Sequence, residues 1–200
     1  MRISKLLGRF PASLCIALLI LIAWCASAAY LDRPLFAPQR SSLLPFIGGA
    51  TGKMFSTHEW WRLLTSQFFH VHFMHMLFNA LCILLVGGFI EQAYRWRVFL
   101  LIYLMGGIAG QAASVLFYPT LVSDGASQAL MALCGAALLL LSRWSLRAIT
   151  LLIIGLQAGL DLYVAGTIKA GHGYGFAAGL LIATGVLLAA KRRSLAIRTH

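Results

Sequence analysis

Charge is what this chain most lacks. Charged residues make up 10% of its 200 positions, where a soluble domain carries about 25%, so a water-solvated globule is excluded. Acid is scarcer still, with five Asp and Glu against 16 Lys and Arg. The four cysteines, Cys15, Cys25, Cys82 and Cys134, stand apart in apolar surroundings without a CxxC pair. That spacing argues against a cysteine metal site or a disulfide framework and leaves them as reduced packing residues. No internal repeat or low-complexity tract is present. What remains is apolar, with 60% hydrophobic residues and a mean hydropathy of +0.86. This is the composition of an integral membrane protein.

Spans of about 20 apolar residues fit six times, at 12–30, 70–90, 98–117, 127–142, 147–166 and 172–190. The expected fold is an all-α polytopic membrane protein, a six-helix transmembrane bundle forming a single domain over residues 1–200. The one long connection is segment 31–69, after the first helix. Asp32-Arg33-Pro34 stops that helix, Pro38 and Pro45 punctuate the loop, and Gly48-Gly49 marks a turn. From Glu59 to Phe69, Trp60, Trp61, Phe68 and Phe69 mix with Arg62 and Gln67, a pattern that lies in the membrane interface. The chain start also fits a signal peptide, since Arg2, Lys5 and Arg9 precede an apolar run ending in Ala26-Ser27-Ala28. We expect this helix to be retained; its cleavage would leave five spans in the same orientation.

The net charge of +11 would suit nucleic acid, but its distribution assigns it to topology. With both termini in the cytoplasm, eleven basic residues fall inside: Arg2, Lys5, Arg9, Arg95, Arg97, Arg143, Arg147, Lys191, Arg192, Arg193 and Arg198. Arg33, Arg40, Lys53, Arg62 and Lys169 fall outside. An inward excess of basic residues sets orientation, and its partners are anionic lipid headgroups. No nucleic-acid partner is expected. Spans two, four and six then run from the outside inward. His70, His75 and Asn79 begin the first of these, Ser127 the second and His172 the third, so all five reach one depth near the outer leaflet.

Polar groups in apolar spans are costly, and their default reading is functional. Ser127 follows Gly125 and Ala126, behind the polar turn Ser123-Asp124. Unpaired amides at a helix start would stabilise an oxyanion beside it; the same position also fits a simple N-cap. His172 has Gly175 and Gly179 on its own helix face, which lets another membrane helix approach closely. A neutral imidazole there would take the Ser127 proton and return it to a leaving amine; the alternative is a histidine wetted at the membrane edge. His75 and Asn79, four apart, share a face and suit a developing oxyanion, though a packing hydrogen bond also accounts for Asn79. His70 lies about 500° of helical rotation from His75 and need not point the same way, and His72 fits the first turn or the loop. Two histidines and an asparagine make a poor zinc set, so neither metal nor cofactor is expected. Asp124 shapes its turn, Asp161 pairs with Lys169, Tyr163 or water, and Glu91 is a cytoplasmic anchor beside Arg95 and Arg97. With no acid placed to orient His172, hydrolytic chemistry here would use a Ser–His dyad rather than a triad.

Trp61-Arg62, His70, His75 with Asn79, Gly87-Gly88 with Glu91, Gly125-Ala126-Ser127, and His172 with Gly175 and Gly179 follow one another in this order. In these motifs the chain resembles the rhomboid intramembrane serine proteases of bacterial type. The resemblance implies Ser127 as nucleophile, His172 as general base, and an oxyanion hole of His75, Asn79 and the Ser127 amide. It implies a structural role for Arg62 and a location in a bacterial inner membrane. The implied substrates are single-pass membrane proteins, cut near the outer face where small residues and helix breakers weaken the helix, since lipid otherwise favours helix over an extended chain. Two positions depart from the pattern. Gln128 replaces the usual glycine after the serine, and Met131 stands where many members place an aromatic ring against the histidine; a thioether contact is a substitute.

Two other readings compete with an active protease. One is a catalytically silent relative that binds membrane-protein clients, favoured by Gln128 and opposed by Ser127, His172, His75 and Asn79 being present together. The other is a small transporter or channel built on Asp161 and the histidines, opposed by the clustering of polar groups near one face.

Overall fold

The computed structural model describes residues 11–198. Arg2, Lys5 and Arg9, with the start of the signal-like segment, lie outside the described residues. Six long helices are named here: α1 (Pro11–Tyr30), α2 (Phe73–Tyr94), α3 (Trp96–Phe117), α4 (Ser127–Leu140), α5 (Trp144–Ala165) and α6 (Ala170–Arg198). No β-strand is found among the described residues, so the all-helical membrane bundle expected from sequence is what forms. A π-helical turn, Ile83–Gly87, interrupts α2. A Cβ on Gly87 would lie 2.5 Å from the Phe99 ring, so glycine is what lets α2 meet α3 there.

The six expected spans differ in length. Among the described residues five helices are long and apolar enough to cross a membrane by themselves, and α4 has 14 residues. At about 1.5 Å per residue it falls short of a hydrocarbon core about 30 Å thick. Twelve of its 14 residues are buried, which fits a helix apolar all round and enclosed by protein. The expected fourth span is therefore a short central helix. Around it, Ile20, Trp24, Ile83, Phe99, Tyr103, Leu130 and Leu133 form the fully buried centre.

Lipid tails are as apolar as leucine, so helices in a membrane hold together by close packing rather than by escape from water. Small residues supply that packing here. A Cβ on Gly106 of α3 would lie 2.2 Å from the Ala132 Cβ of α4. On α6, a Cβ on Gly175 would lie 2.4 Å from the Gln128 carbonyl oxygen, and one on Gly179 only 1.9 Å from that of Ala132. The backbones of α4 and α6 therefore touch. α5 is more open, and its main helix contact is with α4.

The connection between α1 and α2 folds into short helical turns, including Met54–Thr57 and Arg62–Thr65. Arg62 holds it together: the guanidinium donates to the Pro45 carbonyl and, at 3.1 Å, to that of Gly49, and pairs with Glu59 at 3.0 Å. Trp60 and Trp61 are each 51% exposed, as an interfacial anchor requires. An antiparallel bridge joins this connection to the segment ahead of α4, with Ala50 N–H to Ser123 O at 3.1 Å and Ser123 N–H to Ala50 O at 2.8 Å. Gly125 N–H also donates to Ser66 O at 2.9 Å. The loop thus fixes the turn that delivers Ser127.

Glu91 differs from expectation. Instead of anchoring beside Arg95 and Arg97, it is buried and caps α1, accepting from Ala12 N–H at 3.0 Å and Ser13 N–H at 2.9 Å. A carboxylate satisfies the orphan amides of a helix start and complements its dipole. All four cysteines are free, with Cys15 and Cys25 exposed on α1 and Cys82 and Cys134 buried.

Candidate active site

Gly125 has φ +101, a conformation that glycine alone adopts readily. Its carbonyl accepts from Gln111 Nε2 at 2.9 Å, and the Ala126 N–H donates to His70 Nε2 at 3.2 Å. Held at both points, the chain enters α4 with Ser127 as its first residue. The Ser127 amide therefore lies in the turn whose N–H groups have no carbonyl four residues back.

The structure brings Ser127 and His172 together. Ser127 Oγ lies 2.8 Å from His172 Nε2, and the two residues are 2% and 4% exposed. Main-chain contact at Gly175 and Gly179 seats α6 closely enough for the imidazole to reach the hydroxyl. Ser127 Oγ also lies 3.2 Å from Gln128 Oε1. The Gln128 amide is itself tied to α3, accepting from Gln111 Nε2 at 3.3 Å and donating to Ser114 Oγ at 3.4 Å. Met131 and His172 line one small pocket of about 220 Å³.

His70 is closer to this centre than helical rotation implies. It precedes α2, in a loop where 100° per residue has no meaning. Its Nε2 accepts from Asn79 Nδ2 at 3.1 Å, and its ring meets that of His75 edge-on at 5.4 Å. Burial, with His75 alongside, pushes His70 down to about 3, so it stays neutral and serves as an acceptor. Asn79, fully buried, spends this amide contact on His70. His75 lies over Gly125: a Cβ there would come 3.3 Å from its Cε1. His72 is the residue before α2.

Sequence offered no acid beside the histidine, yet Asp161 lies next to it. Its Oδ2 lies 2.6 Å from His172 Nδ1 and accepts from the Lys169 backbone N–H at 3.1 Å. Lys169 is thus a partner, but through its main chain. The signal available in sequence was register: Asp161 sits near the end of one helix and His172 near the start of the next, so a tight reversal sets them at one level.

Ser127, His72, His75, Asp124, Gln128 and Lys169 line a cleft of about 810 Å³. Burial pushes the Asp124 carboxyl up to about 7, against the pull of Lys169 and the Val71 N–H. Its charge therefore changes near neutral pH at the cleft. Among the described residues no three His, Cys, Asp or Glu side chains converge as a metal-ligand set.

Taken together, the helices and this cluster define a multi-pass integral membrane protein with a buried serine–histidine pair opening on a cleft. The chain belongs to the rhomboid family: the family model described as Rhomboid domain matches residues 57–189. It is 31% identical over 166 residues to RHOMBOID-like protein 7 of Arabidopsis thaliana, covering 79% of this chain and 48% of that one. It is 42% identical over 91 residues to Rhomboid protease GluP of Bacillus subtilis, covering 46% of this chain and 18% of that protein. Inactive RHOMBOID-like protein 8 of Arabidopsis thaliana is 30% identical over 145 residues, covering 72% and 37%. The chain therefore spans less than half the length of each of these curated relatives. Proteases by name and one relative named inactive both occur among its matches.

Proposed function

We propose that this chain is an intramembrane serine endopeptidase acting on single-pass membrane proteins. The observation that supports it most is the 2.8 Å hydrogen bond between Ser127 Oγ and His172 Nε2, away from bulk water. In the proposed reaction the Ser127 hydroxyl proton passes to Nε2 while Oγ attacks the scissile carbonyl carbon. The carbonyl oxygen becomes an oxyanion, stabilised by the Ser127 amide with His75 and Asn79 as further donors. As the intermediate collapses, the C–N bond breaks and Nε2 returns its proton to the leaving amine. Water then repeats the sequence on the acyl ester, giving its proton to Nε2, and the proton goes back to Oγ as the ester opens. We place both termini in the cytoplasm of a bacterial cell, from the eleven inner against five outer basic residues. The cut then falls near the outer face of the inner membrane.

A fluorophosphonate probe on detergent-purified protein tests this. Wild type is expected to label, and Ser127→Ala and His172→Ala to lose labelling by about 10⁴-fold or more with folding intact. Asn79→Ala should slow cleavage of a helical model substrate by about 10²–10³-fold, the worth of one oxyanion donor. A client-binding relative is the second reading, favoured by Gln128 Oε1, which competes with His172 for the Ser127 hydroxyl. Folded wild type that neither labels nor cleaves would select it.

A further inference from the structure

Asp161 is the buried acid that the two-residue mechanism leaves without a task. Burial of a carboxylate inside a membrane helix is costly and calls for specific partners. Among the described residues of the long helices the other buried acid is Glu91, which caps α1. Asp161 is 1% exposed. Its Oδ2 accepts from the Lys169 N–H and faces His172 Nδ1 at 2.6 Å, and its Oδ1 accepts from Gln157 Nε2 at 3.4 Å. Each of these partners presents a donor or a ring nitrogen that is able to donate, the environment of an ionised carboxylate.

Building on the serine-protease reading above, we propose that Asp161 is a positioning residue that completes a Ser127–His172–Asp161 relay. With Oδ2 accepting, the imidazole proton resides on Nδ1. A neutral ring then leaves Nε2 bare, and that is the nitrogen facing Ser127 Oγ at 2.8 Å. Asp161 thereby selects the tautomer able to receive the hydroxyl proton. It also stabilises the imidazolium that forms when Oγ attacks, without taking up a proton itself. Gln157, one helical turn earlier on the same face of α5, holds the far carboxylate oxygen and fixes the plane of the acid.

The competing role is purely structural, with Asp161 tying the α5–α6 turn through the Lys169 N–H. Two variants separate the roles. Asp161→Asn is nearly isosteric: the Lys169 N–H requires an acceptor at the Oδ2 position, so the amide oxygen stays there and keeps both the turn and the Nδ1 proton in place. What it removes is charge. Asp161→Ala removes charge and acceptor together. Fluorophosphonate labelling rates are measured against pH, with thermal unfolding followed in parallel. Asp161→Ala is expected to label about 10²–10⁴-fold more slowly and Asp161→Asn to fall between it and wild type. In both, the acid limb of the rate profile should move to lower pH, by about 1–3 units for a lost neighbouring charge. If Asp161→Asn folds and labels as wild type does, or both variants slow with the acid limb unmoved, the proposal is overturned. Wild type that fails to label overturns the protease reading beneath it, a different result from a silent variant beside an active parent.

Discussion

On α5 and α6, glycine pairs of the same four-residue spacing have opposite surroundings. On α6, Gly175 and Gly179 press against the α4 backbone, where an added Cβ would lie 2.4 and 1.9 Å from carbonyl oxygens. On α5, a Cβ on Gly155 or Gly159 would meet nothing within 4 Å. The same spacing that signals a tight membrane interface therefore marks one in α6 and none in α5. In α6 the glycines lie next to the histidine and set its distance from Ser127. In α5 they leave a helix that brings the acid to the site while lying open along much of its length.

The largest effect should come from Gly179→Leu. No rearrangement of a flexible side chain clears a carbonyl oxygen 1.9 Å away, so α6 must move. Loss of folded protein, or of more than about 3 kcal/mol, is expected by thermal unfolding in detergent, and labelling should vanish with it. Gly175→Ala should be milder, costing about 1–3 kcal/mol. It shifts the seat three residues from His172, so labelling should fall further than stability does. At the small end, Gly155→Ala and Gly159→Ala should each stabilise α5 by about 0.5–1 kcal/mol, since alanine is the better helix former and has room. Melting temperatures would show this, with labelling unchanged. If the α5 alanines destabilise as the α6 ones do, the contrast fails and α5 has a partner on that face.

Much of the fold was legible because apolar length and punctuation are local signals. The expected 98–117 span is α3 at Trp96–Phe117, and Ser127 does open α4. The serine–histidine pairing was legible from depth and from glycine spacing. What sequence hid was set by distant chain. Glu91 bonds to Ala12 and Ser13, nearly 80 positions away, and no pattern near it announces a cap. The rotation rule left the direction of His70 open, because that residue precedes the helix. Asp161 was hidden by the reversal between α5 and α6, where Gly166 takes a left-handed φ of +69. That single turn decides which neighbour the acid meets.

At Gly175 and Gly179 the seam between α4 and α6 is made of main-chain atoms, and this governs how the site tolerates disturbance. Such a surface has no rotamers, so it loses no side-chain freedom on assembly and offers none for adjustment afterwards. The spacing of the two backbones that carry the serine and the histidine then varies only as far as whole helices vibrate. A strain applied elsewhere reaches the pair as a rigid displacement, because no soft layer lies between to absorb it. Repair by an altered neighbouring side chain is also closed off: at the Gly179 contact the only thing to give way is backbone.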